Sequence, residues 1–184
     1  MEVRILRVIG DPSWQEALWQ IYDRSFQEDI LIYPHDQRNY KHRDAFLEVL
    51  LDDTIINFLL VHEGTPIGFS IVVDDKHPEH APWSNFLAFK ERAKGEEGTF
   101  HYINVIAIDP DYQKKGIGLE LMDAMAEWGA GRLIWGFDAP REKHYLVELI
   151  RQRCQVNGLT LERIGSQDYY LISPQEQANP RASE

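Results

Sequence analysis

The chain has 184 residues, 43% of them hydrophobic, and a formal net charge of −11 at neutral pH. That length suits one compact domain with a sizeable core. The charge argues against nucleic-acid binding through a basic face and suits attraction of a cationic substrate such as an amine. The single cysteine, Cys154, excludes an intrachain disulfide and any multi-cysteine metal site.

The opening Met1-Glu2-Val3-Arg4-Ile5-Leu6 reads as a strand rather than a signal peptide, and no apolar run approaches the ~20 residues that span a membrane. A cytoplasmic protein with no membrane partner is expected. Alternation predicts a first strand over Val3–Ile9. Asp11-Pro12 then offers an N-cap and a first-turn proline, and Trp14, Ala17, Leu18, Ile21, Ser25 and Phe26 form one helical stripe. A second helix is expected over Asp36–Leu51. Strands Ile56–His62 and Ile67–Val73 flank Glu63-Gly64-Thr65-Pro66, a hairpin signal.

Residues 74–98 make a long connection containing Pro78, Pro82, His77, His80 and Trp83, with a short helix expected at Ser84–Ala93. Loops longer than ~12–15 residues are usually functional or mobile, which suggests a substrate-side lid here; a surface insertion packing its own aromatics is the plainer alternative. No metal site is predicted, because His77 and His80 lack a third ligand at a telling spacing.

The fourth strand, Thr99–Ile108, leads into Ile106-Ala107-Ile108-Asp109-Pro110-Asp111-Tyr112-Gln113-Lys114-Lys115-Gly116-Ile117-Gly118. The helix it opens runs to about Ala130, with Ile117, Leu121, Ala124 and Trp128 on one stripe. This is strand, tight loop, helix. The first amides of a helix lack intrahelical partners and the dipole favours an anion there. Glycine at 116 and 118 lets a phosphate approach the backbone. A glycine-punctuated turn with exposed lysines is the bland alternative. Strand Arg132–Phe137, helix Arg141–Val156 and strands Leu159–Ile164 and Asp168–Ile172 complete the domain (residues 1–173), and the polar end (174–184) is expected to fray.

The loop fits neither a dinucleotide fingerprint, since position 121 is Leu, nor a P-loop, which needs Gly-Lys-Ser/Thr. Gln113-Lys114-Lys115-Gly116-Ile117-Gly118 instead resembles the Gln/Arg-x-x-Gly-x-Gly/Ala motif of the GNAT superfamily of acyl-CoA-dependent N-acyltransferases. The element order β-α-α-β-β-β-α-β-α-β-β is similar to that fold as well. The resemblance implies a mixed α/β architecture, with a mostly antiparallel central sheet flanked by helices. It also implies acetyl-CoA as acyl donor and a small-molecule or peptide amine as acceptor. The pyrophosphate would lie on Gln113, Lys114, Lys115, Gly116, Ile117 and Gly118, and the pantetheine arm along Ile106, Ala107 and Ile108, which would also supply the oxyanion donor. Related domains often form homodimers, and the terminal strands offer an edge for one.

A glutamate on the fourth strand is the base in some relatives; by register its place holds Tyr102, with Asn104 on the same face able to orient a water. His101 is chemically better suited as a base but points to the other face. The family's usual acid tyrosine is replaced by Cys154, on an apolar stripe with Leu146, Leu149 and Ile150, and its asparagine by Val147. Tyr145 is the substitute for contact with pantetheine or thiolate. These departures keep open a rival reading, a non-catalytic acyl-CoA-binding sensor or interaction module on the same fold.

Overall fold

The computed structural model describes residues 1–32, 40, 42–74, 76–80, 99–129, 133–138, 144–164 and 169–174. The elements in order are β1 (Glu2–Leu6), α1 (Pro12–Ile32), α2 (Arg43–Leu51), β2 (Ile56–His62), β3 (Thr65–Asp74), β4 (Thr99–Ile108), α3 (Ile117–Gly129), β5 (Leu133–Asp138), α4 (His144–Val156), β6 (Leu159–Ile164) and β7 (Tyr169–Pro174). Short 3₁₀ turns at Pro78–His80 and Pro110–Tyr112 follow β3 and β4. The strands form one sheet in the order β1-β2-β3-β4-β5-β7-β6. Only β4 and β5 run parallel. The expected mixed, mostly antiparallel sheet with flanking helices is what forms.

Local chemistry explains the junctions. Asp11 Oδ1 accepts from the Ser13 amide at 2.8 Å, capping α1 ahead of Pro12. Glu63 (φ 49°) and Gly64 (φ 82°) both take the left-handed conformation, which matches the twist of a two-residue hairpin between β2 and β3. Gly158 (φ 67°) ends α4 as the Asn157-Gly158 pair leads one to expect.

Some expected boundaries shift. β1 ends at Leu6 rather than Ile9, because the Ile9 amide donates to the Leu50 carbonyl (2.9 Å) and turns the chain toward α2. Helix α2 begins at Arg43, since His42 is extended; the expected stretch at 36–39 and 41 lies outside the described residues. So do the short helix expected at Ser84–Ala93, Arg132, 141–143, Asp168 and the tail from 175.

On α3 the buried stripe is Ile117, Leu121, Met125 and Gly129, not the expected line through Ala124 and Trp128. Trp128 is 39% exposed, and its ring meets Phe58, His101 and Trp135 from the helix edge.

The sheet carries a core on each face. Toward α3 and α4 pack Ile56, Phe58, Leu60, Ile103, Leu121, Trp135, Val147 and Cys154. Toward α1 and α2 pack Leu18, Tyr22, Phe46, Leu59, Phe69, Val105 and Ala107. β4 serves both cores through a bulge. Its partners on β3 jump from Ile71↔Val105 to Val72↔Ile103, which leaves Asn104 as the extra residue. The jump puts Val105 and Ala107 on the α1–α2 face, while Ile103, Ile106 and Ile108 pack toward α3 and α4.

Candidate acyl-donor site and catalytic face

The site is built where β4 loses its second neighbour. β4 pairs with β5 only from Thr99↔Leu133 to Tyr102↔Gly136. Farther along, β5 pairs on its other edge with β7, and β4 continues to Ile108 with β3 as its one neighbour among the described residues. The β5-side edge of β4 beyond Tyr102 therefore opens into a wedge, with backbone polar groups that need partners. Ile106, Ala107 and Ile108, expected to hold the pantetheine arm, form the end of this edge. Ala107 is buried, and the flanking isoleucines are half-buried.

The next residues fold the chain sharply into α3. Asp109 Oδ1 accepts from the Asp111 amide (2.9 Å) and Pro110 supplies a fixed φ, giving one 3₁₀ turn. Gln113 Nε2 then donates back to the Ile108 carbonyl at 2.8 Å, bracing the loop against the strand end. Lys114 (φ 61°) and Gly116 (φ 74°) are both left-handed. No carbonyl among the described residues accepts from the amides of Lys114, Lys115 or Gly116. Ile117, by contrast, is buried and anchors the first turn of α3 in the core. A Cβ on Gly116 would meet nothing within 4 Å, so the space above this glycine is open to a ligand.

Lys115 turns its Nζ onto the Asp111 carbonyl (3.0 Å) and lies 5.2 Å from the centre of the Tyr112 ring. The lysine thus stiffens the loop itself. The loop is also clasped from outside: Arg24 on α1 reaches Asp109 Oδ1 and Asp111 Oδ2, both at 3.1 Å. Gly68 allows β3 to lie tightly beneath the strand end, since a Cβ there would press on Ile108 Cδ1 and sit 3.1 Å from the Ala107 carbonyl.

The other face of β4 carries polar groups. Asn104 Nδ2 bonds the Tyr40 hydroxyl at 2.6 Å, and the Tyr40 amide donates to the Tyr22 hydroxyl at 2.7 Å. Tyr22, Tyr40 and Phe46 pack as one aromatic group, and burial, followed by the neighbouring Tyr22, pushes the Tyr40 phenol well above its ordinary pKa. Asn104 Oδ1 is buried without a partner among the described residues. Such an acceptor costs about 1–3 kcal/mol unless something donates to it. Tyr102 lies on the same face by alternation but is fully buried, so it offers no exposed surface to an acceptor. Tyr145 occupies the second position of α4, and its side chain lies outside the described residues.

Cys154 and Val147 both belong to the apolar core, and burial pushes the Cys154 thiol up to about 11. Cys154 lines a cleft between α3 and α4 with Ile103, Met125 and Trp135, next to the Arg153–Asp123 pair that bridges the helices. Sequence reasoning did not find Arg24, Gly68 or Tyr40. Two acids bracketing Pro110 were a signal for Arg24, whereas Tyr40 gave none, because its role depends on a contact 64 positions away.

A model of the acetyltransferase (GNAT) family matches residues 15–143, well over half the chain. The chain belongs to that family. It is an acyltransferase, and acetyl-CoA is the family's usual donor. No curated protein matches the sequence. Among solved structures, the chain is similar to PH1933 from Pyrococcus horikoshii OT3, with TM-score 0.57, 15% identity, and 96% of this chain and 99% of that one covered. It is likewise similar to the PaiA N-acetyltransferase of Thermoplasma acidophilum in complex with coenzyme A, with TM-score 0.54, 14% identity and coverage of 95% and 99%. A third is the aminoglycoside acetyltransferase meta-AAC0020 from an uncultured soil metagenomic sample in complex with sisomicin, with TM-score 0.54, 14% identity and coverage of 83% and 86%. At these identities the likeness establishes the fold. Among the described residues, no helix of this GNAT protein is long and apolar enough to cross a membrane.

Proposed function

We propose that this chain transfers the acetyl group of acetyl-CoA directly to a primary amine on a cationic acceptor. The pyrophosphate is held by backbone amides from Gln113 through Gly118, and the pantetheine arm lies on the open edge of β4 at Ile106–Ile108. The observation that carries this reading is the coincidence of two features at one strand end. Among the described residues, β4 has no neighbour on its β5 side beyond Tyr102, and the amides of residues 114–116 in the glycine loop have no backbone acceptors.

In this reaction the amine nitrogen attacks the thioester carbonyl, the C–S bond breaks, and the electron pair leaves with sulfur. An alkylamine with a pKa near ~10 must first lose its proton, which passes to water held on the acceptor side of β4. Asn104 and Tyr40 orient that water and the amine, and Asn104 Oδ1 is an acceptor awaiting an N–H; Tyr102, fully buried, supports this face by packing. Tyr145 is the group we assign to the departing thiolate; Cys154, with its raised pKa in the core, serves packing.

A cationic acceptor fits the net charge of −11. The aminoglycoside acetyltransferase of like fold was solved with sisomicin. Availability of acetyl-CoA suits a cytoplasmic location, and a homodimer would form through β6, the C-terminal edge strand of the sheet. Thiol release from acetyl-CoA, measured against a panel of polyamines, aminoglycosides and amino-terminal peptides, tests the proposal. Turnover with at least one polycationic amine is expected. Tight CoA binding with no thiol release from any amine would instead favour a binding module.

A further inference from the structure

At the far end of β3 the chain makes a second constellation that acyl transfer does not use. Asp74 Oδ1 accepts from the Lys76 amide (2.9 Å), the Asp74 carbonyl accepts from the His77 amide (3.2 Å), and the His77 carbonyl accepts from the His80 amide (3.2 Å). A 3₁₀ turn has three residues per turn, so side chains at i and i+3 eclipse. His77 and His80 are therefore brought to one side of the turn, and Glu79 curls back between them. His77 Nδ1 lies 3.2 Å from Glu79 Oε1, and His80 Nε2 lies 4.0 Å from that same oxygen. One ligand atom from each of the three residues falls within 4.8 Å of the other two.

A fourth group comes from another element. Asp52 caps the end of α2, and its Oδ1 is taken by the Thr54 amide (2.9 Å) and hydroxyl (2.6 Å). Its Oδ2 is left facing His80 Nε2 at 3.2 Å, with Thr54 Oγ1 at 3.0 Å from the same nitrogen. Spacing along the chain argued against a metal because no third ligand was visible. The turn supplies Glu79 and the end of α2 supplies Asp52.

We propose that His77, Glu79, His80 and Asp52 form a site for one divalent transition cation of the zinc class. Bonds of roughly 2.0–2.2 Å at tetrahedral angles set neighbouring ligands about 3.3–3.6 Å apart. The observed 3.2 and 4.0 Å within His77, Glu79 and His80, whose ligand atoms all lie within 4.8 Å of one another, are around that value, and Asp52, 3.2 Å from His80, would swing in from the end of α2 to complete the site. Two imidazole nitrogens select zinc, cobalt or nickel over the all-oxygen preferences of magnesium and calcium.

Metal ligation takes imidazoles in their neutral form and carboxylates as anions. The cation would pin the end of β3 to the junction of α2 and β2. β3 pairs Asp74 with His101 here but Gly68 with Ile108 at the glycine loop, so the two sites lie about 20 Å apart along the sheet. The role is a structural clamp rather than a part of acyl transfer.

The test uses the untagged full chain, stripped with a chelator, and titrates zinc calorimetrically and cobalt(II) by visible absorption. One equivalent of zinc with micromolar or tighter affinity is expected, with the strong cobalt bands of four-coordination and a zinc-dependent rise in Tm. His77→Ala/His80→Ala should weaken zinc by more than the roughly 10–100-fold that loss of an outer-shell partner costs, with the affinity for acetyl-CoA unchanged. Glu79→Gln, a solvent-facing change that leaves packing intact, should weaken zinc about 10-fold or more. No zinc binding by the parent chain, or the same stoichiometry and affinity in the double variant, would overturn the proposal.

Discussion

Gly116 concentrates the account in one residue. Its φ of 74° favours glycine, and a side chain there would occupy the open space above the loop. Gly116→Ala should cost about 1–2 kcal/mol through the left-handed backbone alone, read from a denaturant midpoint. Gly116→Glu adds a negative group where a phosphate is expected and should abolish acetyl-CoA binding in calorimetry. Lys114→Ala should barely change it, because the backbone, not the ammonium, makes the contact. On the opposite face, Tyr40→Phe removes the hydroxyl that Asn104 bonds. The expected result is a fall in kcat of about 10-fold or more, at roughly 1–3 kcal/mol for disturbing a buried polar group, with the KM for acetyl-CoA unchanged. An unchanged kcat would separate this pair from the chemistry. The glycines and Asn104 were legible in the sequence, from loop spacing and from strand alternation. Tyr40 was not, because its position depends on how α1 and α2 dock.

Among the elements, the junction of β4 and α3 depends on its outside support. Arg24 spans Asp109 and Asp111 from α1, and it is half-exposed, so the pair adds little to global stability. Its effect is on loop position: Arg24→Ala should raise the Kd for acetyl-CoA several-fold while leaving Tm nearly unchanged, and a large Tm drop with normal affinity would show a packing role instead. On α3, Leu121 is fully buried and Leu121→Ala should cost about 2–5 kcal/mol.

The Asp123–Arg153 pair ties α3 to α4, and the hydrogen bond from Arg153, before that from Asn157, holds the Asp123 carboxyl below its ordinary range. A depressed folded pKa means this stabilisation is present above the unfolded value of ~3.9 and is lost as pH falls through the folded one. Asp123→Asn should therefore lower Tm near neutrality, and the gap to the parent should close in acid; a gap independent of pH would assign the loss to shape. Periodicity located α3 but placed its stripe through Ala124 and Trp128. The buried line is Leu121, Met125 and Gly129, because a tryptophan can pack its ring from the helix edge while remaining 39% exposed.

Across the whole molecule, the element order was legible because turn chemistry punctuates it: Asp11-Pro12, Glu63-Gly64, Asp109-Pro110 and Asn157-Gly158 each mark a junction that the structure keeps. The wedge between β4 and β5 was not legible from those signals alone. It arises because β5 takes β7 as its second partner while β4 runs on past Tyr102, a consequence of sheet order rather than of any local pattern. The bulge at Asn104 is similar, since only the register against β3 reveals it. The net charge of −11 acts on the whole chain. Turnover with a polycationic amine should lose efficiency through KM as salt shortens the Debye length from about 10 Å at 0.1 M to ~3 Å at 1 M. An efficiency independent of salt would argue against steering of a cation.

The most direct measurement is calorimetric titration of acetyl-CoA into the parent chain and into Gly116→Glu. Micromolar affinity is expected in the first and none detectable in the second, with both melting cooperatively. Equal affinity in the two would contradict the placement of the donor on the loop from Gln113 to Gly118.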